Sequence, residues 1–395
     1  MRITQFTVGI LLLIALEIAR VYFIMPFPGS QRAATIDLAY YLHTNILWFR
    51  LVGWLLILYP VLYYFRLGSL RQKIVTGVVL LAYGVVFYLF NFKFLADKMF
   101  YQPEQKIFAA VGDQQNRVPD ANLVLGVNLH GQARAYPIEI IGYHHQVRDE
   151  IGGTPVMVTY CTVCRTGRVF SPEVKGKLEQ FRLVGMDHFN AMFEDATTGS
   201  WWRQVNGEAI AGPLRGTQLQ EIPSEQMSLA SWRQQYPETT VLQADSTFRK
   251  QLKGMRHYDE GKGGELTGRD SLSWKEKSWI VGIQIGTQAR AYDWNHLVQQ
   301  RVINDTLARV PIVIELADDT TSFRAYRRDL LEFQYDTALH APVDAGTRSI
   351  WGWDGVCKSG ALAGQRLPLI QSYQEFWHSW RTFRPKTTSY IIHGK

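Results

Sequence analysis

Gln132-Ala133-Arg134-Ala135-Tyr136 recurs as Gln288-Ala289-Arg290-Ala291-Tyr292, at an offset of 288 − 132 = 156. The same offset aligns Gly126 with Gly282, Asp149 with Asp305, Pro155 with Pro311 and Arg168 with Arg324. Further on, Trp232-Arg233 with Pro237, Thr239 and Thr240 recurs as Trp380-Arg381 with Pro385, Thr387 and Thr388, at 380 − 232 = 148. An identical pentapeptide followed by this ordered tail marks an internal duplication. Two homologous lobes are therefore expected, at 105–245 and 275–395, with 246–274 as a linker. Short runs such as Leu123 to Val127, Val156 to Tyr160, Ile280 to Ile283 and Ile312 to Leu316 read as strands. Helices are expected from Ile138, over 295–300, over 228–235 and over 373–380. The soluble part is thus a mainly-β α+β fold.

The first hundred residues are a different material. Apolar stretches run from Ile3 to Met25, from Ile46 to Phe65 and from Ile74 to Phe92. Each approaches the roughly 20 residues needed to cross hydrocarbon. The first carries Glu17 and Arg20 and lacks a small-residue cleavage site, so it reads as a span and not as a removed leader. An N-terminal α-helical membrane segment of about three spans is expected over 1–100, or two if the first helix lies along the interface. Arg50 and Pro60 in the second stretch need partners from neighbouring helices. Arg66, Arg71 and Lys73 fill the loop between the second and third stretches, whereas the loop from Pro26 to Asp37 holds only Arg32. The positive-inside rule places the 66–73 loop in the cytoplasm. The expected location is the inner (plasma) membrane, multi-pass, with the C-terminal part periplasmic. The net charge of +7 is scattered, with no Lys/Arg run, so the bilayer is the expected partner and nucleic acid is not.

Two of the three cysteines form Cys161-Thr162-Val163-Cys164, at the end of an apolar run. This spacing lets two sulfurs meet as a disulfide, hold a metal or react with a partner. At the 156 offset, Ala317 and Thr320 stand where the cysteines would be, so the thiols belong to the first copy alone. A structural staple would be odd in a scaffold whose twin does without it. Thiol redox chemistry is the first reading: Arg165 and Arg168 would supply the positive charge that favours the thiolate, and His188 would accept a proton. An exchanging redox protein would then be a partner. Gly167 and the β-branched run put the motif at a strand-to-turn junction, which provides no helix dipole. The second reading is soft-metal binding, Cu(I) or Zn(II), by Cys161, Cys164, His188 and Met186, with Met192 nearby. His144-His145 is a further pair private to the first copy, and Cys357 is the remaining thiol. A pure envelope interaction protein is the third. Trp201-Trp202 and Trp351 with Trp353 occupy corresponding places and read as core or lobe-interface residues ahead of a stacking platform for a ligand.

The run from Thr159 to Phe170, TYCTVCRTGRVF, resembles the T-Y-C-P-L-C-G-T signature of domain of unknown function 3179 (DUF3179). So does Thr198-Gly199-Ser200-Trp201-Trp202 with the following Gly207 to Leu219 block. Thr162-Val163 replaces the usual Pro-Leu, and Arg165 replaces glycine. Some members of that family carry selenocysteine in the CxxC-type motif, which implies redox reactivity for Cys161 and Cys164.

Overall fold

The computed structural model describes residues 2–391; the last four residues of the expected second lobe, 392–395, lie outside them. The chain separates into two compact units, 1–101 with 179–218, and 102–178 with 219–395. The grouping of 179–218 with the N-terminal segment differs from the division read from the repeat.

In the first unit, three helices are long and apolar enough to cross a membrane: Arg2–Tyr22, Ile46–Leu67 and Leu70–Phe92. Ser69 ends the link between the last two. Its hydroxyl accepts from the Gln72 amide, and the Gln72 side chain accepts from the Ser69 amide. That capping box satisfies two amides at a helix start that would otherwise lack partners. The polar residues inside the bundle answer one another. Glu17 accepts from Arg50 through two bonds of 2.7 Å, and Asn91 donates to Glu17 at 2.9 Å while accepting from Arg20 and Arg50. A four-stranded antiparallel sheet, Phe181–Asp187, Asn190–Asp195, Trp201–Arg203 and Ala209–Ala211, completes this unit.

The second unit is built of sheets with short helices. Leu123–Leu129 pairs on one side with Gln132–Pro137 and on the other with Glu225–Ser228. Trp279–Ile285 pairs likewise with Gln288–Asp293 and with Ser372–Phe376. Each of these sheets contains one parallel pairing, Thr240–Leu242 on Gln132–Pro137 and Thr388–Ser389 on Gln288–Asp293. Two further sheets run Gln146–Ile151, Thr154–Cys161, Thr166–Phe170 and Val302–Leu307, Val310–Leu316, Phe323–Arg327. A third is formed by Phe333–Asp336, Ala341–Asp344, Ile350–Trp351 and Cys357–Ser359.

The core explains the strands' composition. Leu125, Val127, Tyr136, Val147, Val156 and Val158 are buried in one cluster, and Val281, Ile283, Tyr292, Ile303, Ile312 and Ile314 in another. These are the same positions at the 156 offset. Alternation places them on one face of each strand. The polar pairs recur too: Asp149 accepts from Arg134 and, at 2.6 Å, from Tyr136, and Asp305 accepts from Arg290 at 2.6 Å and Tyr292 at 2.7 Å.

Two local expectations differ from the structure. Tyr373 to Phe376 was expected to be helical, but Ser372–Phe376 is a strand and the helix is Trp377–Phe383. Pairing with Trp279–Ile285 outweighs local helix propensity there. The segment read as a linker contains the short helix Arg249–Leu252, and it buries Tyr258 to 3% exposure.

Candidate functional site

Cys161 ends the strand Thr154–Cys161, and its pairing partner Thr166 starts the strand Thr166–Phe170. The CxxC is therefore the tip of a β-hairpin. Both cysteines are buried at 0% exposure, with Thr162 and Val163 nearly so. Arg165 closes the turn at φ 53°, in the left-handed region. Glycine adopts that conformation without strain, which accounts for glycine at this place in the DUF3179-type signature.

The hairpin tip is held through its carbonyls. Tyr258 Oη donates to Thr162 O at 2.9 Å, and the Phe376 amide donates to Cys164 O at 2.9 Å. Lys277 Nζ donates to Val163 O at 2.9 Å, and His378 Nε2 lies 3.0 Å from the same oxygen. Every carbonyl from Thr162 to Cys164 thus meets a donor supplied from beyond residue 257. The turn cannot relax without losing these buried bonds.

The two arginines differ in kind. Arg165 gives its donors to neutral acceptors: Gln374 Oε1 at 2.8 Å, Tyr258 O at 3.1 Å and Asp259 O at 3.1 Å. Its guanidinium stacks 3.8 Å over the Trp279 ring. No carboxylate forms an ion pair with it among the described residues. Arg168, by contrast, is neutralised. It is fully buried, pairs with the equally buried Glu375, and lies 3.5 Å from Glu221. Its Nη1 also donates to Thr166 Oγ1 at 2.6 Å. Its charge is spent on the scaffold, whereas that of Arg165 remains beside Cys164.

His188 and Met186 belong to the other compact unit. There His188 Nδ1 pairs with Asp187 at 2.7 Å, which raises the imidazole pKa, and the Met186 amide donates to Ile24 O at 2.8 Å. Met192 is buried in the same sheet. His145 Nδ1 donates to Tyr160 O at 2.9 Å, beside Cys161, and burial pushes the imidazole pKa down to about 4. His144 packs against Phe248. Cys357 lies in the Cys357–Ser359 strand, its Sγ 3.3 Å from Ser359 O. Among the described residues, no group of three or more His, Cys, Asp or Glu side chains is placed to hold a metal ion. Trp201, Trp202 and Trp351 are buried core residues. Lys277, His378 and Gln374 escaped the sequence reading: they lie more than a hundred residues from the CxxC and carry no motif.

Four buried groups of the second unit contribute to how its stability responds to pH. Burial lifts the Asp259 carboxyl to about 7 and that of Glu315 to about 8. Burial also lowers His145 and His378 to about 4 each. Both carboxyls have folded pKa values above their unfolded ones, so their stabilising protonated form is lost as pH rises. Both histidines have depressed values, so their contribution is lost as pH falls below about 6.5. Between about 4.5 and 6.5 the two effects cancel, since the folded and unfolded chains bind equal numbers of protons at these sites. Of these four, the carboxyls dominate above 6.5. Stability should then fall by about 2–3 kcal/mol between pH 6.5 and 8, and Glu315→Gln should remove most of that fall. Denaturant titrations of the detergent-solubilised protein at both pH values check this; equal slopes in wild type and variant would refute the assignment.

No curated protein and no solved structure matches the chain. The family model described as protein of unknown function (DUF3179) matches residues 103–387, a span that contains the CxxC hairpin and every residue that holds it. The chain belongs to the DUF3179 family.

Proposed function

We propose that this is a membrane-anchored thiol redox protein in which Cys161 and Cys164 cycle between dithiol and disulfide. The observation that carries the reading is the guanidinium of Arg165 at the end of the CxxC turn, whose hydrogen bonds go to neutral acceptors and not to a carboxylate. Nearby positive charge favours the thiolate, the reactive form of cysteine. In the oxidising half-reaction the two thiols lose two protons and two electrons and an S–S bond forms. A disulfide-bearing partner protein takes up both and becomes a dithiol. Arg165 is the tuning residue on this reading, and Arg168 supports the hairpin through Glu375.

The soluble part is read as two copies of one scaffold, 105–245 and 275–395. The recurrence of core positions and of the Arg–Tyr–Asp groups at one offset supports it. The anchor is read as three spans of the inner membrane with the soluble part outside, where a disulfide can persist. Arg66, Arg71 and Lys73 lie around the junction of two spanning helices, as a cytoplasmic turn requires.

Counting thiols in the full-length protein tests the reading. Equilibration with dithiol and disulfide buffers should interconvert two thiols, and Cys161→Ser should abolish the change. A pair that stays in one state across the accessible potentials would sink the proposal. Arg165→Gln should slow alkylation of the pair at neutral pH by about tenfold, the effect of one pKa unit.

A further inference from the structure

The loop without thiols and the loop with them are braced differently. At the 156 offset the counterpart of Val163 is Asp319, and that of Lys277 is Ala121. At the 148 offset the counterpart of His378 is Ala230. The Asp319 carboxylate accepts from Ser228 Oγ at 2.7 Å and Ser231 Oγ at 3.0 Å. Where the cysteines stand, an ammonium and an imidazole face the turn; where they are missing, two alanines replace both. Generic bracing of the loop does not need those groups, because the second loop does without them.

We infer that Lys277 is the positioning residue of the thiol pair: its ammonium grips the carbonyl between the two cysteines and supplies a cation that favours the thiolate. The inference rests on Cys161 and Cys164 being the redox pair. Lys277 Nζ sits 2.9 Å from Val163 O, 2.6 Å from Leu266 O and 3.3 Å from His378 Nε2, above the Phe376 ring at 4.7 Å. No carboxylate ion-pairs with it among the described residues. Burial lowers its pKa, and the charges of Cys164, Cys161 and Glu276 raise it, in that order. His378 is kept neutral by burial and by Lys277 itself, so it adds no competing charge at neutral pH. Lys277 also lines an open groove of about 760 Å³ together with Gly263, Gly264 and Gly268. Its side chain therefore reaches from the groove to the carbonyl between the two cysteines. On ionisation the sulfur proton passes to solvent and the ammonium keeps its own.

The test uses the full-length protein in detergent with Cys357→Ser, so that only Cys161 and Cys164 react with iodoacetamide. The pH at half-maximal alkylation should rise by about one unit in Lys277→Met, a tenfold loss of thiolate below the midpoint. Lys277→Arg should restore it. An unchanged midpoint in Lys277→Met, with wild-type thiols still interconverting, overturns the role of Lys277 alone. Wild-type thiols that never interconvert overturn the redox reading instead. Should Lys277→Met not fold, the wild-type amine gives the answer by nitrogen NMR. Its midpoint should drop when the pair is oxidised, and an equal value in both states contradicts the inference.

Discussion

Glu375→Ala should destabilise the soluble part by about 3–5 kcal/mol, the largest effect expected of any single substitution in the chain. Glu375 is completely buried and accepts from Arg168, from Thr166 Oγ1 at 3.0 Å and from Ser379 Oγ at 3.1 Å. Arg384 lies 3.9 Å away. Removing the carboxylate leaves the guanidinium of Arg168 in a dry interior, stacked 3.4 Å over Tyr373, with Glu221 at 3.5 Å and the neutral acceptors Thr166 Oγ1 and Gly167 O facing it. An orphaned buried charge costs far more than a lost surface pair. The double variant Arg168→Met/Glu375→Met should recover most of the loss, because apolar side chains of similar length need no partner. Urea unfolding of wild type, single and double variants measures all three. A single variant that loses less than about 1 kcal/mol would show that the pair is not desolvated.

Gly282→Ala should cost about 3 kcal/mol, at the upper end for an overpacked core. A Cβ at Gly282 would sit 2.3 Å from two carbons of the Trp380 ring. The ring has nowhere to go. It is fully buried, its Nε1 donates to Thr387 Oγ1 at 2.8 Å, and Arg384 stacks on it at 3.8 Å. Gly126 meets Trp232 at 2.4 Å, and Trp232 donates to Thr239 Oγ1 at 2.9 Å. The two glycines should therefore behave alike. In a Trp380→Leu background the cost of Gly282→Ala should shrink by more than half, and a double-mutant cycle reads that coupling. Strict additivity would mean that the ring is not the obstacle.

These two sites show which parts of the molecule are legible in the chain. Gly126, Gly282, Trp232 and Trp380 are visible as recurring sequence positions, and in the structure each glycine lies against its matching tryptophan ring. The strands around Val156 to Tyr160 and Ile312 to Leu316 were legible for a similar reason: a β-branched apolar run of that length is buried or aggregates. Glu375 was invisible, since one carboxylate in Ser-Tyr-Gln-Glu-Phe has no periodicity to betray it. The helix expected from Tyr373 failed on the same segment, where pairing of Tyr373 with Gly282 decides the backbone. His188 shows how sequence neighbours are distributed over the fold. It lies 24 residues after Cys164, yet the strand that ends at Asp187 belongs to the other compact unit. Sequence distance carries little information once a chain passes through several sheets.

The long apolar helices, the recurring sequence blocks and the place of the thiols follow from local properties of the chain: hydrophobic length, an offset, a spacing. Each depends on near neighbours or on a direct comparison of two segments, and needs no three-dimensional search. What surrounds the thiols came only from tertiary structure. Lys277 and His378 converge on Val163 O from beyond residue 275, Arg168 is cancelled by Glu375, and Arg165 and Lys277 keep their charge by the turn. Electrostatics acts across a few ångströms of space and ignores the number of residues between the charges. The CxxC is therefore a feature of the sequence, and its chemistry is a property of the fold.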